Sequence, residues 1–321
     1  MDSAREISTG IVVSGVDLYL LDEDKIDKDN YQCWGCDVPV NPVSYKVENK
    51  KCAHFRLFKD LEHVAGCALE MEDSEDEIYR RRVPRPDGLP RPYPSRLVIN
   101  RKRAKGRVIV VENTPDDPIG DILRGGHVTQ RTRHHFSVGT IRPLAKHYVN
   151  RPSERHLPVK VFDSDDETFD SLFAEIPNQV NVRLPHEQIY FGILYFSAKT
   201  VEDDKFVEVK LARGKWENNK LAEAYTVRIN TEGWSDRAKW AVIREINETR
   251  SAYREAYKNG DRSSHAWLFF IAEQDPQRPA LLHVKLHQHV CCFIATLHRS
   301  RRYTVWQTLS VPDSSGASLN V

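Results

Sequence analysis

The sequence predicts an α+β protein built from modules: a zinc-finger-like module, a basic proline-rich linker, and a C-terminal mixed domain with an OB-like antiparallel β-barrel. Three observations carry this expectation. Cys33, Cys36, His63 and Cys67 cluster in the first quarter of a chain that has six cysteines in 321 residues. Charge inverts abruptly after residue 69, and prolines follow. The last third alternates apolar and polar residues in short runs on either side of one long amphipathic pattern. These features suggest boundaries at 1–70 for the metal module, 71–118 for the linker and 119–185 for a small α/β region. Residues 186–310 form the OB-like domain and 311–321 a flexible tail.

Residues 10–21 (GIVVSGVDLYLL) read as one or two short strands turning at Ser14-Gly15. The metal segment follows. Cys33 and Cys36 stand in a C-x2-C pair, which can bring two sulfurs to one ion from a tight knuckle. His63 and Cys67 stand four apart, as one helical turn would place them, and residues 58–63 are expected to begin such a helix. Three thiolates and one imidazole make a closed tetrahedral set, the usual form of structural zinc. Cys52 and His54 lie in the gap as alternate ligands. Zinc is the expected cofactor. Clustered cysteines in a reducing compartment are more often ligands than disulfides.

That compartment is expected to be the cytoplasm. The opening MDSAREISTG lacks the basic start and apolar stretch of a secretory leader. No run of about 18 apolar residues is present, so no transmembrane helix is expected. With 47 basic and 46 acidic residues the net charge is +1, so any affinity for a polyanion must come from local charge.

The linker supplies such charge. Residues 70–77 (EMEDSEDE) are almost all acidic, whereas residues 80–107 hold eleven Lys or Arg against Asp87 alone. Five prolines in that basic half, from Pro84 to Pro94, forbid regular helix and favour extended backbone. Arg80, Arg81, Arg82, Arg101, Lys102 and Arg103 are therefore candidates for phosphate contacts. Arg131 and Arg133 form a second basic group beside His134 and His135.

Downstream, residues 139–149 have helical spacing at Ile141, Leu144, Ala145 and Tyr148, and residues 157–162 read as a strand. A helix capped by Ser164 is expected to bury Phe169, Leu172, Phe173 and Ile176. Strands are expected at 188–198, 206–211 and 224–230, then a helix at 235–257 capped by Ser235 and stopped by Gly260. Its buried stripe is Ala238, Val242, Ile246, Tyr253 and Tyr257. Strands at 266–272 and 281–295 follow, the last broken near His287.

Three meandering strands, a helix and two strands is the order of an OB barrel, which binds single strands by stacking and backbone charge. On it, Lys210, Arg213, Trp216 and Arg228 join the candidate nucleic-acid contacts. If the helix near 164–174 is counted, the order also suits a restriction-endonuclease-like core. Glu208-Val209-Lys210 then reads as the E-x-K of a Mg2+-dependent nuclease, with Asp203 as the further acid, although Asp203 stands too near in sequence for an adjoining strand. His287, His289 and Cys291 would share one strand face, but with no evident fourth ligand they read as packing residues. The chain has no P-loop, no G-x-G-x-x-G, no G-x-S-x-G and no H-E-x-x-H.

The first 70 residues resemble the N-terminal zinc-binding region of CoiA-like competence proteins and related bacterial proteins. Cys33-Trp34-Gly35-Cys36, Val38-Pro39-Val40, His54-Phe55 and Cys67 carry the resemblance. Those proteins often have a second His two residues after the Phe, where this chain has Leu57; His63 supplies the missing ligand. The resemblance implies a bacterial or phage-related protein acting on or near DNA, and it carries over no catalytic residues. The expected function is non-enzymatic binding of nucleic acid, single-stranded DNA above all. A Mg2+-dependent nuclease and an adaptor with protein partners are the alternatives.

Overall fold

The computed structural model describes residues 1–49, 51–64, 67, 92–99, 135–163, 167–180, 182–218 and 220–297, with the backbone of 307–308. The chain divides into two compact units. The first comprises Met1–Ser171 and Trp234–Arg244, the second Leu172–Gly233 and Glu245–Val321. The fold is mixed α+β, rich in strands and poor in helices.

In the first unit, β1 (Ser3–Glu6), β2 (Val12–Ser14), β3 (Tyr31–Gln32), β6 (Tyr93–Leu97) and β7 (His135–Val138) form one sheet in the order β3-β1-β2-β7-β6. β1 runs antiparallel to β2 and β3, whereas β7 runs parallel to β2 and β6. A separate hairpin joins β4 (Val40–Val43) to β5 (His54–Leu57). After Ser14 the chain coils into a 3-10 turn over Gly15–Leu20 in place of the expected second strand. The Ser14 amide donates to Asp17 Oδ2 at 2.7 Å, a local bond that competes with extension. Gly15 is required there, because a Cβ would stand 2.1 Å from the Ala53 carbonyl oxygen. Helix α1 (Arg142–Asn150) buries Leu144, Ala145 and Tyr148, and Ile141 just before it, as the spacing predicts; Val149 is buried as well.

Tyr19 ties these pieces together. Its hydroxyl donates to the Ser44 carbonyl and accepts from the Ala53 amide, each at 3.0 Å. Helix α2 (Asp236–Lys258) starts in this unit. Arg237 donates to the carbonyls of Leu18, Tyr19 and Tyr45 and pairs with Glu23 at 2.6 Å. Ser235 caps α2, its Oγ accepting from the Ala238 amide at 3.2 Å, and Gly260 stops it at φ 89°. Ala238, Val242 and Ile246 are buried as expected; Tyr257 instead is exposed beneath the Arg262 guanidinium.

The second unit has two larger open sheets. One is β17 (Val290–Ala295), β14 (His265–Phe270), β10 (Ile189–Ile193) and β8 (Phe173–Glu175), in that order. The other is β11 (Val201–Glu202), β12 (Phe206–Glu217), β13 (Lys220–Asn230), β16 (Leu281–Val284) and β15 (Glu273–Gln274). A short pair, β9 (Val182–Arg183) with β18 (Gln307–Thr308), stands apart from them. Val207, Val209 and Leu211 on β12 and Tyr225, Val227 and Ile229 on β13 are buried, so the predicted alternation sets which face is core.

No closed barrel forms among the described residues. The OB reading needs an antiparallel meander through β10, β12 and β13. Instead β10 lies between β14 and β8, and meets β12 by a single bridge at Leu194–Leu211. Two pairings, β8 with β10 and β13 with β16, are parallel. The expected helix through residues 169–176 is one turn at Phe169–Leu172 and then β8, drawn out by its pairing with β10. The strand expected at 157–162 reduces to isolated bridges at Pro158 and Lys160. The β12–β13 hairpin runs further than its apolar residues indicate, with a bulge at Gly214, where φ is 143° and a Cβ would meet the Glu223 carbonyl at 2.0 Å. No helix among the described residues is long and apolar enough to cross a membrane.

Candidate metal centre

β3 delivers the first ligand. Gln32 bridges to Pro39, and between them the chain folds back as a knuckle: the Cys33 amide donates to the Val38 carbonyl at 2.8 Å and the Asp37 amide to the Cys33 carbonyl at 2.9 Å. The Gly35 amide donates to Cys33 Sγ at 3.4 Å, a bond that favours the thiolate. Asp37 closes the turn at φ 61°, a left-handed conformation that Asp tolerates better than most residues, and it is ion-paired with Arg5. Sequence reasoning passed over Asp37 and Arg5. The signal was available, since a tight C-x2-C knuckle calls for a residue able to adopt positive φ just after its second cysteine.

His63 and Cys67 come from the far side of the β4–β5 hairpin. The described residues 61–64 are not helical, and the Cys67 amide donates to the Val64 carbonyl at 2.9 Å. Asp60, at φ 70°, precedes this stretch, a conformation that interrupts a right-handed helix. The ligand atoms of Cys33, Cys36, His63 and Cys67 all lie within 4.8 Å of one another. Cys33 Sγ stands 3.6 Å from Cys67 Sγ, and Cys36 Sγ stands 3.3 Å from His63 Nδ1. A tetrahedral ion with metal–sulfur bonds of about 2.3 Å has sulfur–sulfur edges of about 3.7 Å. The four residues therefore fit a metal ion, and the donor set suits zinc.

The cluster is built into a core. Cys33 and Cys67 are buried with Leu18, Tyr31, Val40 and Phe55, while Cys36 and His63 lie nearer the surface. Burial pushes the Cys33 thiol up. Burial also opposes the Cys36 thiolate, but the His63 ring and the amides of Val38 and Val64 outweigh it and bring that thiol down to about 7. Thiolates, not thiols, are the ligands, so metal binding is coupled to loss of the remaining thiol protons. Cys52 and His54 lie outside the cluster; the His54 ring bonds to the Cys52 carbonyl instead.

No protein-family model, curated protein or solved structure matches this chain.

Among the described residues the Cys3His cluster is the one gathering of three or more His, Cys, Asp or Glu suited to a metal. On β12, Glu208 accepts from Arg228 Nε at 2.7 Å, and Arg228 lies 4.5 Å over the Phe206 ring. Asp203 accepts from the Lys205 amide at 3.1 Å. Arg213 pairs with Glu175 and donates to Asn178 at 2.8 Å. Lys210 and Trp216 are exposed. His283 pairs with Asp275 at 3.2 Å, and His287 and His289 occupy a 3-10 turn, not a strand face. Arg80, Arg81, Arg82, Arg101, Lys102, Arg103, Arg131 and Arg133 lie outside the described residues, as do the acidic run and the 311–321 tail.

Proposed function

We propose that this protein binds single-stranded DNA without cleaving it, and that zinc holds its N-terminal module together. The observation that carries the proposal is a closed Cys3His cluster in a chain whose residues 80–107 hold eleven cations against one acid. Four protein ligands leave an ion no open position for a substrate or an activated water. The metal's contribution is then to folding, and the activity falls to the surfaces the fold carries. Cations spaced along a proline-rich segment suit a phosphate backbone, because each contact releases a condensed counterion. The exposed Lys210 and Trp216 on β12 add charge and a stacking surface in the second unit. The resemblance to CoiA-like proteins agrees with a bacterial or phage-related role in DNA processing or defence, carried out in the cytoplasm.

Binding of a labelled 20-nucleotide strand, followed by fluorescence polarisation from 50 to 200 mM salt, tests the proposal. If about six phosphates are held, affinity is expected to fall by roughly several hundredfold over that range. Replacing Arg80, Arg81, Arg82, Arg101, Lys102 and Arg103 with Ala is expected to lower the salt slope by about 4. No binding at the lowest salt, or Mg2+-dependent cleavage that Glu208→Ala abolishes, would overturn the proposal.

A further inference from the structure

The geometry points to a nucleotide subsite in the first unit: a cleft that takes one unit of a single strand, its base against Trp34 and Phe136 and its phosphate against Arg142, Lys146 and Arg151. The inference rests on the nucleic-acid reading above and assigns it a place outside the basic linker.

The cleft has a volume of about 320 Å³. That is near the lower end of the roughly 300–1,000 Å³ of small-ligand sites, and suits one nucleotide better than a length of strand. One wall is aromatic. Trp34 occupies the middle of the C-x2-C knuckle, with its ring 4.8 Å from Phe136 and tilted by 36° to it. The Trp34 indole donates to Ser3 Oγ at 3.2 Å, which fixes the ring's orientation. The metal cluster thus sets the position of an aromatic wall that has no part in holding the metal.

The cleft also has cations in its lining. Arg142 and Lys146 stand four apart and so share a face of α1, and Arg151 follows the helix's last residue. His147 lines the cleft as well, but burial keeps it neutral and it adds no charge. Glu154 lies 3.6 Å from Arg151, and burial pushes the Asp17 carboxyl near Arg142 up toward its neutral form. Asp2 is the one carboxylate among the lining residues, and it takes Lys146 Nζ at 2.7 Å. Asp2 is largely exposed, so this ion pair contributes little to the fold. A phosphate in the cleft would compete with Asp2 for Lys146.

That competition yields a test with opposite signs. A ten-residue oligothymidylate and an abasic strand of the same length are titrated against the wild type, Asp2→Asn and Lys146→Glu. Each variant breaks the same exposed ion pair, so a purely structural role moves both the same way or neither. The subsite makes Asp2→Asn bind oligothymidylate up to about fivefold more tightly. It makes Lys146→Glu bind about tenfold more weakly and lowers its salt slope by about 0.7, one phosphate contact on a single strand. The abasic strand is expected to bind more weakly than oligothymidylate. Wild-type binding with both variants unchanged, or moved in the same direction, overturns the subsite and leaves the nucleic-acid reading standing. Equal affinity for the abasic strand overturns the assignment of the base to Trp34 and Phe136. Failure of the wild type to bind either strand overturns both readings.

Discussion

Replacing Cys33 with Ser isolates the contribution of one ligand. Cys33 is wholly buried, its Sγ is 3.6 Å from Cys67 Sγ, and it accepts the Gly35 amide. Structural zinc binds small modules with an apparent free energy of about 10–16 kcal/mol. Shared over four ligands, that is about 3 kcal/mol each, or about two decades in affinity. Serine would also bury a hydroxyl among Leu18, Tyr31 and Phe55, at a further cost of about 1–3 kcal/mol where it finds no partner. Zinc affinity of the Cys33→Ser protein is therefore expected to fall about a hundredfold or more, with a clear loss of thermal stability in the first unit. Competition against a chromogenic zinc chelator measures the first quantity and calorimetry the second. Cys52→Ser is the matched control, because Cys52 is exposed and outside the cluster. It should change zinc affinity by less than about threefold, well under the two decades expected of a ligand. A Cys33→Ser protein within threefold of the wild type, or a Cys52→Ser protein as impaired as Cys33→Ser, would refute this ligand set.

Two further perturbations probe the scaffold. Gly15→Ala places a methyl 2.1 Å from the Ala53 carbonyl oxygen, where backbone must move to admit it, and is expected to destabilise the first unit by about 3 kcal/mol in urea unfolding; wild-type stability would show that the approach is looser. His147 is buried beside Tyr93 and Phe169, and burial, aided by the charge on Arg151, holds its pKa down at about 3. Between that value and the unfolded one near 6.5 the unfolded chain binds the proton and the folded chain does not, so stability falls as pH falls through this window, by a few kcal/mol at most at about 1.4 kcal/mol per pH unit. His147→Phe should remove this contribution, and identical acid profiles for variant and wild type would contradict it.

What could be read from the residues alone was local. C-x2-C and H-x3-C name their ligands because both spacings answer to the reach of neighbouring side chains around one ion. Alternation at Val207, Val209 and Leu211 and at Tyr225, Val227 and Ile229 assigned the buried face, since a strand's period depends on no partner. Ser235 and Gly260 marked the ends of the long helix through their own bonds and backbone angles. Strand partners were another matter. The parallel pairing of β13 with β16 joins Thr226 to Leu281 across more than fifty residues, and no local signal separates it from the meander of an OB barrel. Phe173 suits a helix face and a strand equally, and its pairing with Ile189 on β10 decided between them. Trp34 and Phe136 meet for the same non-local reason, so their cleft was not foreseen.

The proposed function rests on a closed zinc centre in the N-terminal module. X-ray absorption at the zinc edge of the native protein tests it most directly. One zinc per chain is expected, with three sulfurs at about 2.3 Å and one nitrogen at about 2.0 Å. A shell containing water or carboxylate oxygen, a different sulfur count, or protein that folds without metal would contradict it.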